Sequence, residues 1–162
     1  MIRLSFIALL AACPSTAMAA GATLSPEDQA AAYSAAGFEL QDGQWRACDD
    51  PGTASYTPGA IEVADDLNGD GAPDALITEG GSFCFGNTGQ GFSLVSKQAD
   101  GGWKMMASGT GIVRFLTSKG QDGWPDIEVG GPGFCFPVLR WNGTEYRLNR
   151  HEYQDKPCKH AF

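Results

Sequence analysis

Apolar residues are grouped in short clusters along most of the chain, and turn-forming residues break up the clusters. One segment differs. Ser25-Pro26-Glu27-Asp28 leads into the Ala-rich run Gln29–Ala36, and Gly37 follows. Ser25 can cap free backbone N–H groups, Pro26 suits the first helical position, and the two acids sit at the positive end of the dipole. This pattern predicts a helix over 25–36, with Ala30, Ala31, Tyr33, Ala36 and Phe38 as its apolar face. Phe38-Glu39-Leu40 and Trp45-Arg46-Ala47 then flank Asp42-Gly43, a hairpin signal. Residues 49–60 read as a loop. Beyond them, strands are expected near 61–64, 74–78, 83–85, 92–98, 103–108, 112–116, 126–129, 134–141 and 145–148. Asp100-Gly101-Gly102 and Asn142-Gly143 serve as hairpin turns. Asn142-Gly143-Thr144 also matches a glycosylation acceptor, but the turn explains it.

The spacing hides a repeat. Asp70-Gly71-Ala72-Pro73-Asp74 returns as Asp122-Gly123-Trp124-Pro125-Asp126, and Phe83-Cys84-Phe85 returns as Phe134-Cys135-Phe136. A period of about 50 residues marks one supersecondary unit used twice, over 61–110 and 111–150. Two units are too few for a propeller, which takes at least about four blades. The expected fold is mainly β, an antiparallel meander or compact sandwich of two units with one N-terminal helix.

Composition narrows the class. Among 162 residues, 22 glycines and 9 prolines argue against a helical bundle, and 43% hydrophobic residues suffice for a core. The net charge of −8 and the lack of a basic run exclude nucleic acid as a natural partner. Met1-Ile2-Arg3, the apolar run Leu4–Ala12 and Ala17-Met18-Ala19 read as a signal peptide over 1–20, leaving a single domain over 21–162. The apolar run is too short to span a bilayer, and no later one is long enough. Periplasmic or secreted localisation follows, with a lipid anchor on Cys13 as the alternative, since Leu10-Ala11-Ala12-Cys13 matches a lipobox. Without Cys13, four cysteines remain: Cys48, Cys84, Cys135 and Cys158. In an exported chain they predict two disulfides with three possible connectivities, of which sequence proximity favours Cys48–Cys84 and Cys135–Cys158.

The most specific stretch is Asp66-Leu67-Asn68-Gly69-Asp70-Gly71-Ala72-Pro73-Asp74. Its oxygen side chains at relative positions 1, 3, 5 and 9, with Gly71 for the sharp turn, suit a hard cation that takes six to eight oxygens. Asp66, Asn68, Asp70 and Asp74 are the expected side-chain ligands of calcium, and Ala72 is expected to offer its backbone carbonyl. A solvated turn of the same residues is the competing reading. Position 12 is Ile77, so this is not an EF-hand. The loop resembles the calcium loops of FG-GAP and VCBS-type repeats, in which Asp-x-Asn-x-Asp-Gly-x-x-Asp leads into a strand. That resemblance covers Asp66 to Gly91 at most. It implies an extracellular β-rich module, often for binding or adhesion, and does not imply an enzyme. The second copy departs from the pattern with Ser118, Gly120, Asp122 and Asp126, and is expected to be metal-free. The chain is also similar to small exported bacterial proteins with an N-terminal helix, such a loop and a closing Trp141-Asn142-Gly143-x-x-Tyr146 hairpin, a likeness that speaks to fold alone.

Signals for catalysis are sparse. The two histidines, His151 and His160, fall in a polar C-terminal tail, and no nucleophile elbow or phosphate loop occurs. Glu79 and Glu128 could form a glycosidase pair if they lay about 5–10 Å apart. Trp103, Trp124, Trp141, Tyr146 and Tyr153 offer a candidate binding surface, with core packing as the competing reading. The expectation is a monomeric, non-enzymatic exported module that binds a protein or cell-envelope component. Two alternatives follow it: an inhibitor of a secreted lysozyme-like hydrolase, and then a glycan-acting hydrolase.

Overall fold

The computed structural model describes residues 23–159. The expected signal peptide, the lipobox at Cys13 and His160 lie outside these residues. Helix α1 runs Pro26–Ala35, and the Ser25 side chain accepts from the Asp28 N–H at 3.1 Å. Gly37, at φ +82°, turns the chain out of the helix. A two-stranded ribbon follows, β1 (Glu39–Gln41) and β2 (Gln44–Arg46), closed by Asp42 and Gly43 at positive φ.

Two antiparallel meanders make up the rest. The first sheet has the order β3 (Thr57–Asp65), β4 (Asp74–Gly80), β5 (Gln90–Lys97), β6 (Trp103–Thr110). The second contains β7 (Ile112–Lys119), β8 (Pro125–Gly130), β9 (Phe136–Trp141) and β10 (Tyr146–Tyr153), with the short β11 (Lys156–Pro157) at its edge. In both sheets the Asp-Gly loop joins the first strand to the second, and the Phe-Cys-Phe segment joins the second to the third.

The sheets stack in one direction. Ala75, Ile77 and Val95 face α1 and form one core with Ala32, Tyr33 and Phe38. Leu76 and Leu94 point the other way and meet Trp124, Ile127 and Trp141 of the second sheet. The far side of that sheet carries Asp126, Glu128, Val138, Arg140 and Arg150, as the strand register requires. Glu128 thus stands where the first repeat has Leu76, and a paired charge replaces an apolar contact. Arg114 binds Glu128 through Nε at 3.0 Å and Nη2 at 3.1 Å. The helix and this charged face close the two ends of the stack, as polar caps do in repeat proteins.

The cysteines pair as Cys48–Cys84 and Cys135–Cys158, with sequence separations of 36 and 23. Three local expectations need correction. Residues 83–85 are not a strand but part of a short helix, α2 (Ser82–Phe85), because Gly81 (φ +145°) and Gly86 (φ +56°) bend the chain on both sides of Cys84. The expected loop over 49–60 ends early, since β3 already begins at Thr57. His151 lies within β10, opposite Pro137, not in a tail.

Candidate functional site

The Asp66–Asp74 loop joins β3 to β4, and its side chains largely order its own backbone. Asp66 Oδ1 accepts from the Gly69 N–H at 2.7 Å and the Asp70 N–H at 3.1 Å, while Oδ2 accepts from Gly71 at 2.9 Å. Asp70 Oδ1 accepts from Ala72 at 2.8 Å, and its Oδ2 accepts from the Asn68 side-chain amide at 2.9 Å. Asn68 Oδ1 accepts from the Asp70 N–H at 3.0 Å. These contacts are those of nested Asx turns. Asp66 and Asp70 are exposed, Asn68 and Ala72 half-buried. Among the described residues, no three His, Cys, Asp or Glu side chains close around a common point.

Asp74 differs from the other loop residues. It is fully buried at the start of β4, facing the second sheet. Its Oδ2 accepts from the Leu67 N–H at 2.9 Å, but among the described residues Oδ1 has no hydrogen-bond partner. Burial pushes its pKa up to about 6, and the nearby Asp70 and Asp66 charges push the same way. Ser96 lies opposite Asp74 in the β4–β5 register and eases this, but its hydroxyl completes no hydrogen bond to Oδ1. A buried carboxylate oxygen without a partner costs free energy that a cation would recover. The donors are all hard oxygens, so in type they fit calcium.

The second copy is built otherwise. Asp126, equally buried, receives Arg140 Nε at 2.9 Å and Nη2 at 2.8 Å, Arg150 Nη1 at 2.7 Å and Ser118 Oγ at 2.6 Å. Burial raises its pKa, but these hydrogen bonds outweigh burial and hold the carboxyl well below the usual range. Asp122 accepts from Trp141 Nε1 at 3.2 Å, and Gly120 packs on the Trp141 backbone. The two loops also touch: Gly123 lies against the Asn68 carbonyl, where a Cβ would collide. Sequence reading missed Arg140 and Arg150. Their one signal was the concentration of basic residues between 140 and 150 in an acidic chain.

The expected aromatic surface does not form as a platform. Trp124 and Trp141 are in the core between the sheets, with ring centroids 6.1 Å apart. Tyr146 is half-buried beside them and donates to the Pro125 carbonyl at 2.9 Å. Trp103 lies on the opposite side of the first sheet, with Nε1 3.3 Å from Asp28 Oδ1. Three rings therefore face inward, because the stack needs large side chains to fill the space between its sheets. Tyr153 is exposed, next to Phe134 and Phe136.

Glu79 and Glu128 do not pair. Glu79 points to the helix side of the first sheet, where its Oε1 accepts from Tyr56 at 2.6 Å and from the Ala47 and Cys48 N–H groups. Glu128 is on the far face of the second sheet, bound to Arg114. Both sheets stand between them. Among the described residues, no helix is long and apolar enough to cross a membrane. The two disulfides suit an oxidising, extracytoplasmic environment. The chain matches no family model, no curated protein and no solved structure.

Proposed function

We propose that this protein is an exported, non-enzymatic β-rich module that binds a protein or cell-envelope partner, and that calcium stabilises its Asp66–Asp74 loop. The observation that carries the metal reading is the fully buried, unpartnered Oδ1 of Asp74 at the end of an oxygen-rich loop. The second repeat supports it. There the equivalent carboxylate is neutralised by Arg140 and Arg150, and the first repeat supplies no arginine in their place. Asp66, Asn68, Asp70 and Asp74 would hold the ion through side chains and Ala72 through its carbonyl. The ion would supply the positive charge that Asp74 lacks.

The binding-module reading draws on the FG-GAP-like spacing of the loop, on the two disulfides and on the separation of Glu79 from Glu128. A thermal melt of the oxidised protein in excess chelator and in several-millimolar calcium tests the metal. Calcium at about 100 times its dissociation constant adds roughly 2.7 kcal/mol. For a chain of this size that is a rise of several degrees. The rise is expected to vanish in Asp70→Ala. A melt unchanged by calcium would overturn the metal reading.

A further inference from the structure

We propose that the recess between residues 119–121 and the β9–β10 hairpin binds an acidic oligosaccharide. The inference rests on the reading of the chain as a binding module, but not on calcium in the loop. The recess has a volume of ≈ 400 Å³, within the usual range of small-ligand sites. Lys119, Arg140 and Arg147 line it with the amides Gln121, Asn142 and Asn149, and no carboxylate does. The whole protein has a net charge of −8, so three cations around one hollow, two of them held by Asp126 and Glu145, run against its overall field.

The donors exceed the acceptors. Lys119 is exposed and takes part in no ion pair among the described residues. Among the described residues Arg147 pairs only with Glu145, at the exposed surface, where such a contact is worth little. Arg140 gives Nε and Nη2 to Asp126, which fixes its plane and leaves N–H groups of the fork for a ligand. Gly120 has no room for a side chain against the Trp141 backbone, so the 119–121 segment lies close to the hairpin. Guanidinium and ammonium groups recognise carboxylates through charge-assisted hydrogen bonds. Asn142 Oδ1 is taken by Thr144 and Glu145, and Asn149 Oδ1 by Arg150, so these two amides offer their N–H groups to sugar hydroxyls. Screening over about 8 Å at physiological salt confines the repulsion from distant acids, so the local cluster dominates at contact.

Isothermal titration of the oxidised protein with tetragalacturonate tests this. It is run in chelator below the melting temperature, because the sugar itself takes up calcium. A neutral tetrasaccharide and inorganic phosphate are the comparison ligands. Saturable binding of the acidic sugar that weakens with salt is expected, with none of the neutral one. Lys119→Ala/Arg147→Ala is expected to weaken binding by at least about tenfold with an unchanged melt. No saturable binding, equal binding of the neutral sugar, or full affinity in the double variant would each overturn the site. Phosphate that matches the acidic sugar in affinity would overturn the saccharide class. New reducing ends would overturn the binding-module reading on which the inference rests.

Discussion

Asp74 is the first residue of β4 and Asp126 the second of β8, at matching places in two copies of one unit; both are fully buried, yet among the described residues only Asp126 has a counter-charge. Arg140 and Arg150 do for the second copy what an ion from solution would do for the first. The difference is one of supply. The strands after Asp126 bring two arginines across the sheet, and the strands after Asp74 bring Ser96.

The pH dependence without calcium follows from Asp74. Burial raises its folded pKa from 3.8 to about 6. Between these values the folded chain holds a proton that the unfolded chain has released. Stability from this group is therefore present below about pH 4 and is lost as pH rises through 6, by roughly 3 kcal/mol in all. Urea unfolding in chelator at pH 4.5 and 7.5 measures this, and Asp74→Asn is expected to flatten the difference. On the calcium reading the ion takes the anionic form of Asp74, so its stabilising increment is expected to be larger at pH 7.5.

The arginine pair gives the opposite sign. Asp126 is held ionised, so its contribution is present above the ordinary carboxylate range and is lost as pH falls toward its lowered folded pKa. Replacing Arg140 and Arg150 together with Ala leaves a buried, uncompensated charge, at a cost of about 3–5 kcal/mol at pH 7. Adding Asp126→Asn to the double variant is expected to recover much of this loss in denaturant unfolding.

Each disulfide shortens the unfolded chain's freedom. With separations of 36 and 23, each contributes roughly 3–4 kcal/mol in the chain-entropy account. Cys48→Ser/Cys84→Ser is expected to lower the melt by about 8–15 °C for a domain of this size. A reductant is expected to reproduce most of the combined effect in the parent.

The buried indoles separate packing from recognition. Trp124→Ala opens the core between the sheets and is expected to cost about 3–5 kcal/mol. Ser25→Ala removes one capping bond and is expected to cost about 1 kcal/mol. Calorimetric melts of both variants check the contrast.

The local features were legible in the sequence. Ser25, Pro26 and Gly37 bound α1 because capping and positive φ are set within a few residues. Asp42-Gly43, Gly101 and Gly143 mark turns for the same reason. The Asp-Gly repeat announced two like meanders, and the cysteines paired with their neighbours in sequence. The rest depends on distant partners. Trp124 and Trp141 are core only because one sheet packs on the other. Arg150 reaches Asp126 across 24 positions, past a register shift between Leu148 and Arg150. The orphaned oxygen of Asp74 is legible only once every donor around it has been placed.

Like sheets piled the same way up have no built-in last member. Each exposes the face that the next would cover, and such head-to-tail contacts run on into fibres when no rotation closes them. Glu128 in the place of Leu76, held by Arg114, puts a paired charge where a third sheet would need an apolar contact. A neighbour seated on this face would have to strip water from the exposed parts of Arg114 and Arg150, beside the already buried Glu128 and Asp126, while offering an apolar surface in return. The cost falls on the growing end of a polymer and spares the single folded chain. A charged face in this place disfavours the addition of a further like sheet.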